Sequence, residues 1–172
     1  MVPLLVALVV LVNVVGHRSG STSGSVADVS GPTSSARDDL PVVTVQTPAV
    51  TPQADASCPA FVDALPAQMV GEPPRRVESA SSYVRAWGDP AVVLICGVDR
   101  PAAFTIGAGL IQIDDVQWFV DTSDPKTVVW TAVDRPVYVQ VRVPASTDSA
   151  SVTEISGTIA TTLAAQTPQP GS

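Results

Sequence analysis

The sequence predicts an α+β fold: a small antiparallel sheet of about four to five strands, with a short N-terminal helix and a C-terminal helix packed on one face. Three observations predict it. Apolar residues recur at helical spacing in residues 59–65 and again in residues 147–165. Between these segments, stretches of alternating apolar and polar residues indicate strands. The order helix, strands, helix places one domain at residues 56–165.

The first helix is predicted over residues 59–65 from its flanking residues. Ser57 is a suitable N-cap, Pro59 fits a first turn, and Pro66 would end the helix. The apolar residues between them share one face. We therefore expect this short helix to pack on the sheet.

Both cysteines of the chain, Cys58 and Cys96, fall inside the domain. An even number of cysteines in an exported protein favours a disulfide, whereas two buried free thiols or a two-cysteine metal site are the alternatives. The continuous apolar stretch 91–98 predicts a central strand that is buried on both faces. Cys96 shares one face of this strand with Leu94, so that face should contact the first helix.

Further strands are predicted from alternation at residues 110–113, 116–121, 126–133 and 136–144. A register in which paired residue numbers sum to an even value places Trp118 and Trp130 on one apolar face. An odd register would separate the two indoles and bury Gln117. The even register is therefore predicted.

The last helix is predicted over residues 147–165. Ser151 and Glu154 have the spacing of a capping box, and Asp148 is an equally good N-cap. The helix should present one apolar stripe to the sheet, formed by Val152, Ile155, Ile159 and Leu163.

Segments outside the domain point to export. Residues 1–16 form a hydrophobic segment that is too short for a typical membrane span and fits a signal peptide or anchor; a buried core helix is the alternative. Residues 17–55 are predicted to be a disordered linker rich in Ser, Thr and Pro, and residues 166–172 a disordered tail. The protein is expected in the cell membrane through its first segment, or secreted if that segment is cleaved.

Composition excludes several classes of function. A net charge of −7 and a pI near 4.4 disfavour nucleic acid, and membrane contact is expected only through the N-terminal segment. The single histidine, His17, precedes the domain, which removes a Ser-His-Asp triad and a histidine-bound zinc site. No catalytic residue, metal or cofactor is predicted. Carboxylate chemistry remains open, with candidates Asp114, Asp115, Asp121, Asp124 and Asp134.

The leading candidate for a binding site is a set of arginines around a tryptophan: Arg75, Arg76, Arg85, Trp87 and Arg100. Arginine pairs bidentately with carboxylate or phosphate, and tryptophan stacks on sugars or on arginine. Such residues could bind an anion or an anionic partner. The alternative is ordinary ion pairing with Glu72, Glu78 and Asp89, and a tryptophan packed in the core.

Two blocks, Trp87-Gly88-Asp89-Pro90 and Cys96-Gly97-Val98, give the chain a family resemblance. The sequence resembles the actinobacterial family called domain of unknown function 3515. That resemblance implies an exported, membrane-associated protein with a bridged domain, and implies no reaction. We expect a non-catalytic cell-envelope domain that binds a protein or glycan partner; the alternative is a small envelope hydrolase with a carboxylate pair.

Overall fold

The computed structural model describes residues 36–172. Two helices are present in this part of the chain, α1 (Pro52–Asp63) and α2 (Ala150–Thr162). The strands are β1 (Val43–Val45), β2 (Val77–Ser79), β3 (Val84–Trp87), β4 (Val92–Val98), β5 (Ile111–Ile113), β6 (Val116–Asp124), β7 (Thr127–Ala132) and β8 (Tyr138–Pro144). The predicted signal or anchor segment, residues 1–16, lies outside the described residues. Neither of the two helices is long and apolar enough to cross a membrane.

The predicted α+β fold is confirmed, with more strands than expected. Six antiparallel strands form one sheet in the order β3-β4-β8-β7-β6-β5, and β1 pairs with β2 in a separate parallel pair. The additional strands β1, β2 and β3 have three or four residues each. Segments of that length contain too few alternations to be separated from loops by sequence pattern.

Both helices contribute to one hydrophobic core on the same face of the sheet. The α2 stripe is buried as predicted, and so are Leu94 and Cys96, which contact α1 through this core. The even register is confirmed, because Trp118 lies opposite Ala132 and Val120 lies opposite Trp130. The two indoles meet edge to face with ring centroids 6.4 Å apart.

The start of α1 differs from the prediction. Helix α1 begins at Pro52, and the hydroxyl of Thr51 caps it by accepting a hydrogen bond from the Ala54 N–H over 3.1 Å. Ser57 and Pro59 therefore lie inside the helix. Thr51 and Pro52 are as suitable for a helix start as Ser57 and Pro59. The prediction placed the start at the later pair because the composition of residues 17–55 favoured disorder.

The expected linker and tail also contain ordered residues. Strand β1 lies within residues 17–55, and Val45 packs with Val84 and Ile95 on the face opposite the helices. In the C-terminal tail, Gly171 forms backbone hydrogen bonds with Phe104 and Ile106. A composition averaged over a whole segment does not detect a few residues that cover an otherwise exposed sheet face.

Candidate functional site

Arg75, the first residue of the predicted arginine cluster, is buried and bound by backbone oxygens. Its guanidinium donates to the carbonyls of Gly88 and Pro41, both over 2.7 Å. It also lies 3.6 Å from a carboxylate oxygen of Asp89. Arg75 therefore connects the segment before β1 to the turn after β3.

The other members of the cluster are dispersed. Arg76 forms an exposed ion pair with Asp38 at 3.3 Å, and Arg85 donates to two carbonyls of its own strand region. Arg100 lies against Gly171 in the C-terminal tail. Trp87 is 3% exposed and packs in the core. The structure brings only Arg75 and Arg85 to a common groove, and the indole offers no open face for stacking.

The carboxylates considered for catalysis occupy structural positions. Asp134 is buried beside Arg135, with 3.0 Å between carboxylate and guanidinium. Burial raises the pKa of Asp134, and the hydrogen bond from the Gln117 N–H opposes that rise. Asp121 accepts from the Ser123 N–H at the irregularity near the end of β6, which lowers the pKa of Asp121. Backbone hydrogen bonds and one internal ion pair thus account for these two of the five candidate carboxylates.

A different site forms where three segments meet, and sequence reasoning did not predict it. A pocket of about 350 Å³, here called the acidic pocket, is lined by residues from segments 69–72, 87–92 and 146–151. Its apolar lining includes Val70, Pro90 and Val92, with the nearly buried Met69 and Trp87 behind them. One wall contains the Trp-Gly-Asp-Pro block that carried the family resemblance. That block drew attention to this stretch, but no local signal linked it to the other two.

The 69–72 turn is held against α2 by a charged hydrogen bond. Met69 and Glu72 exchange two backbone hydrogen bonds of 3.0 and 2.9 Å, and Val70 between them has a φ of 52°. The Val70 N–H donates to Glu154 on α2 over 2.8 Å. Glu154 therefore does not complete the predicted capping box, because its carboxylate fixes this turn at the pocket.

Gly88 allows Glu72 to approach the Trp-Gly-Asp-Pro turn. Its φ is +75°, a conformation that favours glycine. A Cβ at this position would lie 3.2 Å from the Cγ of Glu72. A larger residue would therefore displace the glutamate from the pocket wall.

The charge of the pocket is strongly one-sided. Three carboxylates line it, those of Glu72, Asp89 and Asp148, and no lysine or arginine does. Arg75 offsets part of this charge through Asp89. The hydroxyl of Ser151, a residue 5% exposed in the pocket wall, has no hydrogen-bond partner within residues 36–172. The arrangement suits an organic cation with an apolar stem.

A metal ion fits this site less well. Among the residues that the structure describes, no group of three or more Asp, Glu, His or Cys side chains is arranged to hold one. Asp148 also already accepts a hydrogen bond from the Ala150 N–H over 3.0 Å at the start of α2. The three carboxylates surround the pocket and do not converge on a point.

The second feature predicted from sequence, the disulfide, is present. Cys58 on α1 and Cys96 on β4 are joined, with Cα atoms 5.8 Å apart. This bond settles the choice between a bridge, free thiols and a two-cysteine metal site.

Comparison with protein families gives one result. The model for the family described as "Protein of unknown function (DUF3515)" matches residues 1–168. Searches of curated proteins and of solved structures found no match.

Proposed function

The chain belongs to the DUF3515 family, and we propose that its domain is a non-catalytic, exported binding domain whose acidic pocket receives a basic side chain of a partner protein in the cell envelope. One observation carries this proposal: the pocket has three carboxylates, an apolar wall and no basic side chain. A folded protein with a net charge of −7 would also attract a basic partner over a distance.

The aliphatic stem and the charged head of a lysine or arginine side chain match the apolar lining and the carboxylates of the pocket, respectively. The aliphatic stem would pack on Val70 and Val92, and the charged head would reach the carboxylates at the rim. A volume of about 350 Å³ is at the lower end of small-molecule sites, which span roughly 300–1,000 Å³. One long side chain is a suitable occupant of such a space.

The same geometry favours a protein over a glycan. Sugar rings in binding sites stack on an aromatic face, and Trp87 is only 3% exposed. Export is supported by the Cys58–Cys96 disulfide, since such bonds persist in oxidising compartments, and by the apolar residues at the N-terminus.

The test is binding of the full chain to synthetic peptides that contain one lysine, compared with the same peptides carrying norleucine. Lysine peptides should bind and norleucine peptides should not. Glu72→Gln should weaken binding by about 10- to 100-fold, because a hydrogen bond to a charged group contributes about 1.5–3 kcal/mol. Added salt should weaken it further.

Asp99→Asn is the matched control, because it removes an exposed carboxylate outside the pocket. If Glu72→Gln and Asp99→Asn weaken peptide binding equally, the effect arises from the net charge of the protein and the proposal is contradicted. Co-purification from the native envelope then identifies the partner. A glycan in place of a protein, or turnover of an envelope substrate by the purified chain, would refute the proposed binding of a basic side chain.

A further inference from the structure

The face of the six-stranded sheet opposite the helices carries polar as well as apolar residues. The β4–β8 register places Val93 beside Arg142, and the β7–β8 register places Val129 on the other side of Arg142. Asp121 follows beyond Val129 on β6. These four residues therefore form one row across four neighbouring strands, on the face that the helices do not cover.

A parallel row lies one step along the strands. It contains Ile95, Gln140, Thr131 and Phe119, which are successive partners in the register. Val93 and Ile95 belong to a small apolar cluster at one side, and Phe119 belongs to another at the other side. Arg142, Gln140 and Thr131 lie on β8 and β7, the two strands between β4 and β6.

A groove of about 610 Å³ opens at this place, here called the sheet groove. It is lined by Arg142, Gln140, Thr131, Val129, Phe119 and Asp121, with Asp124, Thr127 and the 101–103 segment completing its wall. Its floor is therefore part apolar and part hydrogen-bonding, as in sites for small organic ligands.

Within residues 36–172, Arg142 is the one basic residue that lines the groove, and it makes no direct contact with a carboxylate. It is half-buried, and burial lowers its pKa. Its Nε donates to the amide oxygen of Gln140 over 2.8 Å, and it forms no ion pair with a carboxylate of the described residues. Its two terminal amino groups therefore remain available to an anion, although leaving a half-buried charge unpaired is unfavourable for folding.

Both carboxylates of the groove accept backbone hydrogen bonds near the end of β6. Asp121 accepts from the Ser123 N–H and Asp124 accepts from the Lys126 N–H, over 2.9 and 2.8 Å. They still contribute negative charge to the groove. A singly charged anion is therefore a better ligand than a dianion such as phosphate, which the two aspartates would repel more strongly.

We infer that the sheet groove is a second binding site, separate from the acidic pocket, for the carboxylate group of a small organic ligand, with Arg142 as the anchoring residue. A guanidinium presents two parallel N–H donors that match the two oxygens of a carboxylate. Phe119 and Val129 would contact the apolar part of the ligand. Thr131 lies between Gln140 and Phe119 in the register, where the polar part of the groove meets its apolar part.

The experiment titrates the full chain with phenylacetate, with its neutral analogue phenylacetamide and with inorganic phosphate, and follows the Arg142 side-chain resonance by NMR. Phenylacetate should bind saturably, and phenylacetamide and phosphate at least tenfold more weakly. Arg142→Met should abolish phenylacetate binding, and Asp121→Asn, which keeps a turn acceptor, should tighten it severalfold. Arg85→Met, which removes an arginine from a different groove, should leave it unchanged.

The melting temperature distinguishes a ligand site from a structural role for Arg142. Since the guanidinium has no carboxylate partner, Arg142→Met should keep or raise the melting temperature while binding is lost. Equal binding of phenylacetate and phenylacetamide, an equal loss from Arg85→Met, or absence of saturation would overturn the inference. A lowered melting temperature with unchanged phenylacetate binding would likewise assign Arg142 to stability alone.

Discussion

Removing the Cys58–Cys96 disulfide should cost a large part of the stability of the domain. The bond closes a loop with a sequence separation of 38. The chain-entropy relation gives a loss of about 13 cal/mol/K for that length, which is about 4 kcal/mol at about 25 °C. Domains of this size are stable by roughly 5–15 kcal/mol. The double variant Cys58→Ala/Cys96→Ala should therefore unfold at a much lower urea concentration than the wild type.

Reduction of the wild-type protein is the control for packing, because it breaks the bond and keeps both buried sulfurs. Urea unfolding followed by circular dichroism should give about 4 kcal/mol less for the reduced than for the oxidised protein, and slightly less again for the double alanine variant, which also leaves a small cavity. If the oxidised and reduced proteins differ by less than about 1 kcal/mol, the loop-entropy reasoning fails for this chain.

Four further predictions test single positions. Gly97→Ala should destabilise by about 2–5 kcal/mol, because φ is +91° and the new Cβ would lie 2.7 Å from that of Ala54; Gly157→Ala, with open space around it, should stabilise by about 1 kcal/mol in the same urea assay. Arg76→Ala should change stability by under about 1 kcal/mol, since its ion pair is exposed, and a larger loss would contradict this assignment. The pKa of Asp134 is raised in the folded state, so its contribution to the free energy of unfolding is fully present below about pH 3.8 and is lost as pH rises through the folded pKa. The stability of the wild type relative to Asp134→Asn should therefore fall as pH increases from 4 to 7. A difference that stays constant over this range would contradict the prediction.

The parts of the fold that could be predicted from sequence are long elements whose own residue pattern determines which face is buried. Strand β8 alternates without interruption, and Val139, Val141 and Val143 are buried on the helix-covered face as expected. Trp118 and Trp130 are predictable as a pair because a shift of one residue would bury polar groups. Such signals are local in sequence and large in free energy.

The parts that could not be predicted depend on partners distant in the chain. Strand β1 has three residues and pairs in parallel with β2, from Val43 opposite Val77 to Val45 opposite Ser79. No property of three residues in a polar segment identifies such a partner. The same holds for Glu154, which a local pattern assigned to a capping box and which instead accepts from Val70, 84 residues away.

The members of the predicted arginine cluster are dispersed in the fold for a related reason. Proximity in sequence implied proximity of function, but long side chains bind whatever carbonyl lies within reach. Arg75 binds carbonyls 13 and 34 residues away, and Arg85 binds those of its own strand region. In these contacts Arg75 and Arg85 donate to backbone oxygens, as buried carbonyl groups require of a nearby donor.

The acidic pocket and the sheet groove share a property that stability alone does not explain. In the pocket, Asp89 has a basic neighbour, and neither Glu72 nor Asp148 forms an ion pair with a described residue. In the groove, Arg142 forms no ion pair with a described residue, although two aspartates lie in the same wall. A fold optimised only for stability would pair such charges or replace them, since an unpaired charge in a concave, partly desolvated site opposes folding. The unpaired guanidinium of Arg142 in the groove and the unpaired carboxylates of Glu72 and Asp148 in the pocket are therefore the common ground on which we propose a ligand for each site.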